Sequence, residues 1–399
     1  MISPTPAVKR ARPTRVLKFT DTLADINGVC RFIQNIAQTA HDTDRKLIVF
    51  TSTRMEMPRV DNVVNFEPIY AMKMPKYETL DLALPPMIRM LRAAEEFDPD
   101  VIHISTPGPV GTAGMIAAKL MRKPIVGVYH TDFPAYIDEL FDDNAIASWA
   151  CRAHMSFFYR QFRYVFSRSA DYAGRLRELG LREDKLVRLQ AGYDDTQFDH
   201  ALRDPGIWAQ HGIPSDSIKA VFCGRVSTEK NLPMLVRIWP EVRRRVRESG
   251  REIDLIIIGD GPYRTEMESA LSPHGGYFLG FRRGVELATL YASCDFFVFP
   301  STTDTLGQVV MESQASGLPV IITDQGGPKE IVQDQTSATP TAFVLDVKDE
   351  SAWIDTIVEL ATDDELRKRM GEAGVELMKH YTFAESFKHY WQVHESARR

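Results

Sequence analysis

The sequence predicts an α/β protein made of two successive, doubly wound parallel-sheet domains. Short β-branched or apolar runs alternate with helical patterns from end to end. The runs are apolar throughout rather than alternating with polar residues, as in parallel strands covered on both faces. The pattern falls into two blocks, and 399 residues exceed one ordinary hydrophobic core.

In the first block the predicted strands are Arg15–Phe19, Lys46–Phe50, Val101–Ile104 and Ile125–Tyr129. Helical spacing fills Val29–Ala40, Pro86–Phe97 and Val110–Met121. Gly192, Pro205, Gly206, Gly212 and Pro214 then break the periodicity and mark a boundary. In the second block the strands are Ala220–Cys223, Leu255–Ile258, Phe296–Phe299 and Val320–Thr323, with helices over Leu232–Arg247, Tyr263–Leu271 and Val285–Ser293. The expected domains are 14–195 and 205–380. A final helix in 381–399, carrying Phe387, Tyr390 and Trp391, is expected to cross back to the first domain. Open α/β sheets bind ligands outside the carboxyl ends of their strands, so two such domains facing across a cleft place the site there.

Bulk properties narrow the function. An apolar fraction of 44% and a charged fraction of 26% are those of a globular protein, and a formal charge of −6 argues against a general nucleic-acid binder. Cys30, Cys151, Cys223 and Cys294 are widely spaced with no C-x-x-C pair, which reads as reduced thiols. No apolar run approaches the ~18 residues that would span a bilayer. Met1–Pro13 lacks the apolar core of a secretory signal, so a cytoplasmic location is expected.

The stretch Pro300–Pro319, P-S-T-T-D-T-L-G-Q-V-V-M-E-S-Q-A-S-G-L-P, carries the most chemistry. It follows the apolar run Asp295–Phe299. Asp304 and Glu312 flank a short loop, Thr305-Leu306-Gly307, that would open a helix. A strand, a glycine turn and a helix start present free backbone N–H groups to a phosphate or a polar sugar. Glu312 could accept hydrogen bonds from vicinal hydroxyls such as those of a ribose. The alternative is an ordinary βα unit with a solvated Asp and a surface Glu.

Arg225 and Lys230 lie on the loop after the strand Ala220–Cys223, where a planar fork and a point charge could together neutralise a diphosphate. Solvated loop charges are the alternative. Gly259-Asp260-Gly261-Pro262 is a tight turn without the third glycine of a dinucleotide fingerprint. Phe278–Phe281 reads as a strand end that could meet a flat base. Gly259 and Phe281 therefore enter the candidate donor site, with a purely structural turn open for Gly259. Gly28 permits close approach of a ligand or simply makes a turn. His130, in Tyr129-His130-Thr131-Asp132, could contact a substrate hydroxyl. Asp98-Pro99-Asp100 precedes a strand and reads as a turn, and no His, Cys or carboxylate cluster has metal spacing. Trp149–Arg168 mixes aromatics with arginines; it is either a core helix with snorkelling arginines or a membrane-surface patch, and the core reading leads.

In order and spacing these pieces resemble the retaining glycosyltransferases of the GT-B fold, family four. The marks are T-D-T-x-x-D-x-N-G-V (Thr20–Val29), Y-H-T-D (Tyr129–Asp132), G-Y-D-D-T-Q-F (Gly192–Phe198), G-R-V-S-T-E-K-N (Gly224–Asn231), G-D-G-P (Gly259–Pro262), G-F…L-A-x-L-Y-A-S-C-D-F-F-V-F-P-S (Gly280–Ser301) and D-T-L-G-Q-V-V-M-E-S-Q-A-S-G-L-P-V. The resemblance implies a UDP- or GDP-sugar donor, an α-linked product from an α donor, and no metal or other cofactor. It implies that Arg225 and Lys230 bind the diphosphate and that Glu312 holds the ribose. Asp304 and the amides of Leu306, Gly307 and Gln308 would grip the sugar and its phosphate. Gly28 would lie beside the diphosphate and His130 near the transferred sugar. The family more often has Glu in place of Asp304. The opening motif and Y-H-T-D look most like glycolipid-forming branches, which implies a lipid acceptor at the inner face of a membrane. A catalytically silent sugar-nucleotide binder and a nucleotide-sugar epimerase are the alternatives.

Overall fold

The computed structural model describes residues 12–24, 28–57, 60–74, 77–130, 145–190, 192–304 and 306–398. The chain divides into two compact units. Unit 1 is Met1–Leu189 with Phe387–Arg399, and unit 2 is Gln190–Ser386.

Unit 1 alternates strand and helix: β1 (Arg15–Phe19), α1 (Gly28–Asp42), β2 (Lys46–Thr51), β3 (Val63–Asn65), the antiparallel pair β4 (Tyr70–Met74) and β5 (Tyr77–Leu84), α2 (Met87–Phe97), β6 (Val101–Ile104), α3 (Pro109–Met121), β7 (Ile125–Tyr129), α4 (Ala145–Arg160), β8 (Tyr164–Ser167), α5 (Ala170–Glu178) and β9 (Leu186–Arg188). Its seven-stranded sheet has the order β3-β2-β1-β6-β7-β8-β9, with every neighbouring pair parallel. Every residue of β6 and β7 is buried, His103 of β6 included, as strands covered on both faces require. Asp21 of the T-D-T motif caps α3: its carboxylate accepts from the Val110 amide at 2.7 Å and the Gly111 amide at 3.2 Å. That satisfies amides a helix start otherwise leaves open, so this part of the motif is structural.

Unit 2 runs α6 (Ile207–Gln210), β10 (Ile218–Cys223), α7 (Leu232–Glu248), β11 (Ile253–Ile258), α8 (Arg264–Leu271), β12 (Gly276–Gly280), α9 (Gly284–Ser293), β13 (Phe296–Phe299), α10 (Gln308–Ala315), β14 (Val320–Thr323), β15 (Ala342–Leu345), α11 (Glu350–Thr362) and α12 (Asp364–Met378). Its six strands are ordered β12-β11-β10-β13-β14-β15, again all parallel. Both sheets are thus doubly wound, as the alternating sequence pattern predicts. The last helix, α13 (Phe383–Ala397), begins in unit 2 and from Phe387 onward belongs to unit 1, where Tyr390 stacks on Phe166 at 5.5 Å.

Each sheet has a switch point, where the chain leaves a central strand on one side and returns on the other. In unit 2 it lies between β10 and β13, and in unit 1 between β1 and β6. Loops at the carboxyl ends of such strands diverge and leave room for a ligand. The four cysteines are free thiols, with Cys30, Cys223 and Cys294 buried.

Candidate functional site

In unit 2 the loops after β10 and β13 come together at the switch point. Backbone hydrogen bonds tie the β10 loop to the loop after β11. Gly224 donates to the Ile258 carbonyl at 3.0 Å, Val226 to Asp260 at 3.0 Å, and Tyr263 back to Val226 at 3.0 Å. Gly259 makes this possible: at φ 136° it occupies a region L side chains avoid, and a Cβ there would drive into the Gly224 carbonyl. Its own N–H donates to the Gly280 carbonyl at 2.9 Å, so what Gly259 contributes is space for the neighbouring loop.

On this scaffold Lys230 reaches across to the β13 loop. Its Nζ lies 2.8 Å from Asp304 Oδ2 and 3.5 Å from Thr303 Oγ1. Ser301 Oγ donates to the same carboxylate oxygen, and the Asp304 carbonyl accepts the Gly327 amide at 2.9 Å. Asp304 is thus fixed from side chain and backbone. Arg225 stands on the same loop as Lys230 with its side chain 62% exposed, and its nearest carboxylate is Glu229 at 4.0 Å.

α10 starts immediately beyond. Gly307 is its N-cap in the left-handed region at φ 76°, packed against Pro328, and no side chain caps the helix. Among the described residues the amides of Leu306, Gly307 and Gln308 have no backbone acceptor. A helix start with open amides beside a lysine is an anion cradle. Thr305, between Asp304 and Leu306, lies outside the described residues. Glu312, one turn into α10, is only 2% exposed, so the surface-Glu alternative does not hold. Burial, with Cys223 and Glu312 nearby, pushes the Tyr291 hydroxyl well above its ordinary range. Phe281 follows β12 with its ring 57% exposed and the Arg283 guanidinium 4.6 Å from the ring centroid.

In unit 1 Gly28 opens α1, and His130 follows β7. Asp25–Asn27, Thr131 and Asp132 lie outside the described residues. His130 is 7% exposed, and neither ring nitrogen has a hydrogen-bond partner among the described residues. Burial, then the charges of Arg168 and Lys18, hold its pKa well below the usual histidine value, so the ring is neutral at neutral pH. Sequence reasoning missed Lys18, His103 and His394, and took Arg168 only as one of the arginines of the Trp149–Arg168 stretch; these residues gather near it. The available signals were the single basic residues inside the apolar runs V-L-K-F and V-I-H-I.

The stretch Trp149–Arg168 packs into the core, as the leading reading expects, and also leaves apolar side chains exposed. α4 buries Met155, Phe158 and Tyr159 on one side and exposes Ile146, Trp149 and Phe157 on the other, so it is at once a core helix and an apolar surface. Lys119 of α3 sits 5.7 Å from the Phe157 ring centroid, beside the exposed Leu120. Among the described residues no helix is long and apolar enough to cross a membrane, and no cluster of His, Cys or carboxylates could hold a metal.

Comparison with known proteins agrees with this architecture. The family model "Glycosyl transferases group 1" matches residues 206–376, and "Glycosyltransferase Family 4" matches residues 26–197. The sulfoquinovosyl transferase SQD2 of Arabidopsis thaliana is 30% identical over 385 residues, which is 93% of this chain and 71% of that protein. A GDP-mannose-dependent alpha-mannosyltransferase of Mycobacterium tuberculosis is 31% identical over 313 residues, 77% of this chain and 76% of that one. Among solved structures, Anabaena Alr3699/HepE in complex with UDP matches with a TM-score of 0.74 at 16% identity, covering 96% of this chain and all of that one, a likeness of fold.

Proposed function

Because this chain belongs to the glycosyltransferases of group 1 and family 4, with the paired parallel sheets of the GT-B fold, we propose that it moves a hexosyl-type group from a UDP- or GDP-sugar to a hydroxyl acceptor with retention of configuration. The contact of Lys230 with Asp304, beside the open amides at the start of α10, carries this reading. As the bond from the anomeric carbon to phosphate breaks, the departing nucleoside diphosphate gains negative charge. Lys230, Arg225 and the amides of Leu306, Gly307 and Gln308 stabilise that charge in place, in the role a divalent metal plays elsewhere. The acceptor attacks from the face the diphosphate leaves, and a phosphate oxygen takes the acceptor's proton.

Asp304 has two tasks in this scheme. It holds Lys230 in position before the donor arrives, and it accepts hydrogen bonds from the donor sugar. Glu312 accepts from the ribose hydroxyls and Phe281 offers a face to the base. The donor is read from UDP and GDP-mannose, which the relatives' own names carry. His130 contributes a neutral ring nitrogen to the transferred sugar, and Gly28 leaves room for the diphosphate. The exposed apolar row on α4, with Lys119 close by, supports a lipid acceptor presented at a membrane surface.

The test is a thermal-shift and turnover screen across UDP- and GDP-sugars. A ligand bound only by the folded state raises the melting temperature. The reading requires that one donor class do so, that it be consumed on addition of a hydroxyl acceptor, and that Glu312→Gln weaken its binding by about tenfold. Donor binding without turnover on any acceptor would favour a silent sugar-nucleotide binder, a reading motivated by Asp304 standing where the family more often has Glu. Interconversion of nucleotide sugars with no acceptor present would indicate an epimerase.

A further inference from the structure

Register puts a row of basic side chains on one face of the unit 1 sheet. Lys18 of β1 is the direct partner of His103 of β6, and His103 in turn pairs with Val126 of β7. Side chains alternate along a strand, so Val128 shares that face and His130 continues its line. Val128 pairs with Phe166 of β8, and Arg168 lies two residues further on. α13 covers this face with Tyr390 and His394. Lys18 Nζ is 3.4 Å from the Tyr390 hydroxyl, and His103 Nδ1 is 3.3 Å from the same oxygen and 2.9 Å from His394 Nε2. On the α1 side the Phe32 ring lies 6.4 Å from the His130 ring and 6.4 Å from the Tyr390 ring, with the Arg168 guanidinium 5.6 Å from its centroid.

The polar atoms of this cluster are poorly matched. Lys18 and His103 are fully buried, and His130 and Arg168 are each 7% exposed. Among the described residues Arg168 Nε, both ring nitrogens of His130 and His103 Nε2 have no hydrogen-bond partner. Among the described residues the only bond to Lys18 Nζ is the long one to Tyr390. Among the described residues no carboxylate faces the group; its ionisable members there are Lys18, His103, His130, Arg168, Tyr390, His394 and, beside Arg168, Tyr172. A guanidinium does not give up its proton, and a buried charge without a counter-charge is expensive. Burial pushes Lys18 down to about 7 and Arg168 down to about 10, the direction an unmatched cation takes.

We propose that this cluster is a binding site for a tetrahedral oxyanion of the phosphate class, held by Arg168, Lys18 and His130 between the sheet and Phe32. The anion supplies acceptors for the Arg168 Nε–H, a His130 N–H and the Lys18 ammonium, and its charge offsets theirs. His394 Nδ1 meets the Tyr390 carbonyl at 2.7 Å, so that nitrogen carries the proton and His103 Nδ1 donates to His394 Nε2. That leaves His103 Nε2 as an acceptor, suited to a phosphate hydroxyl. The ligand is either free phosphate or a phosphate borne by a larger molecule such as a lipid. The site shares His130 with the transferase reading, but its cations, Lys18 and Arg168, are distinct from Arg225 and Lys230 in the other unit, so the two readings can fail separately.

The experiment titrates inorganic phosphate, up to about 50 mM at constant ionic strength, into the full chain while following melting temperature and heat of binding. Lys230→Ala serves as background to silence the donor site. We expect a saturable rise in melting temperature with one phosphate bound, kept in Lys230→Ala and weakened at least about tenfold by Arg168→Met or Lys18→Met. Lys18→Met is expected to melt higher than the parent without phosphate, so its loss of response cannot be a failure to fold. A second arm spins the protein with phosphatidylcholine vesicles with or without phosphatidate. Capture that needs both phosphatidate and Arg168 assigns the phosphate to a lipid, and a response to inorganic phosphate alone assigns it to a soluble one. No saturable response in either arm, or one as strong in Arg168→Met and Lys18→Met as in the parent, overturns the site.

Discussion

Two parallel sheets in this chain carry basic side chains near the carboxyl ends of their strands, and they treat them in opposite ways. In unit 2 Lys230 lies 2.8 Å from Asp304 and Arg225 stands largely in water. In unit 1 Lys18 and Arg168 are buried with no carboxylate against them among the described residues. A cation near water and beside a carboxylate keeps its charge at little cost and can pass it to an incoming phosphate. A cation inside a covered sheet is destabilised until something negative arrives. Topology alone places both sets; burial and the presence of Asp304 decide what each can do.

The comparison breaks first at unit 2. Arg225→Ala and Lys230→Ala should each lower kcat/KM by on the order of 10²–10³ with the melting temperature little changed, since both side chains act on charge that develops in the transition state. Wild-type rates in both variants would remove the proposed role. Next in size is Lys18→Met, which should stabilise unit 1 by about 1–4 kcal/mol in phosphate-free buffer, as replacing buried charge by a well-packed apolar chain does. A fall in stability on chemical denaturation would mean that Lys18 is already compensated. It also has a pH signature. The folded value of Lys18 is about 7 and its ordinary value is 10.5, so across that window the unfolded chain binds more protons and stability rises with pH. Lys18→Met should flatten that slope. Asp304→Asn comes third: freeing Lys230 should tighten binding of the bare nucleoside diphosphate by about tenfold while slowing transfer, and unchanged affinity would sever the link between the two residues. Smallest is the effect of chelation, because cations and amides take the metal's part in the proposed scheme. Excess chelator should leave the rate within about twofold, and loss of activity restored by a divalent ion would contradict it.

Much of this was legible in the sequence for a physical reason. Strands such as Ile125–Tyr129 and Phe296–Phe299 are buried along their whole length, so their apolar runs have no other explanation. The edge strands of the unit 1 sheet were not legible. Val63–Asn65 and Leu186–Arg188 are three residues long and half-exposed, and they pair because a sheet edge is there to receive them. At the site, Gly307 as the turn before α10 and the cations of the β10 loop could be read from type and order. The pairing of Lys230 with Asp304 could not, because it joins loops 74 positions apart. The basic row of unit 1 escaped for the same reason: it exists only once register aligns Lys18 with His103 and a helix from the far end of the sequence covers both.

That late helix also bears on how the protein is made. The strands of unit 1 leave the ribosome first, but Tyr390 and His394, which cover them, follow only after all of unit 2. At ordinary translation speeds of about 5–20 residues per second the nascent sheet waits on the order of ten to forty seconds with one face bare. During that time an apolar surface interrupted by Lys18 and His103 is exposed to chaperones, and those two polar residues make it a poorer seed for aggregation than an unbroken aliphatic face.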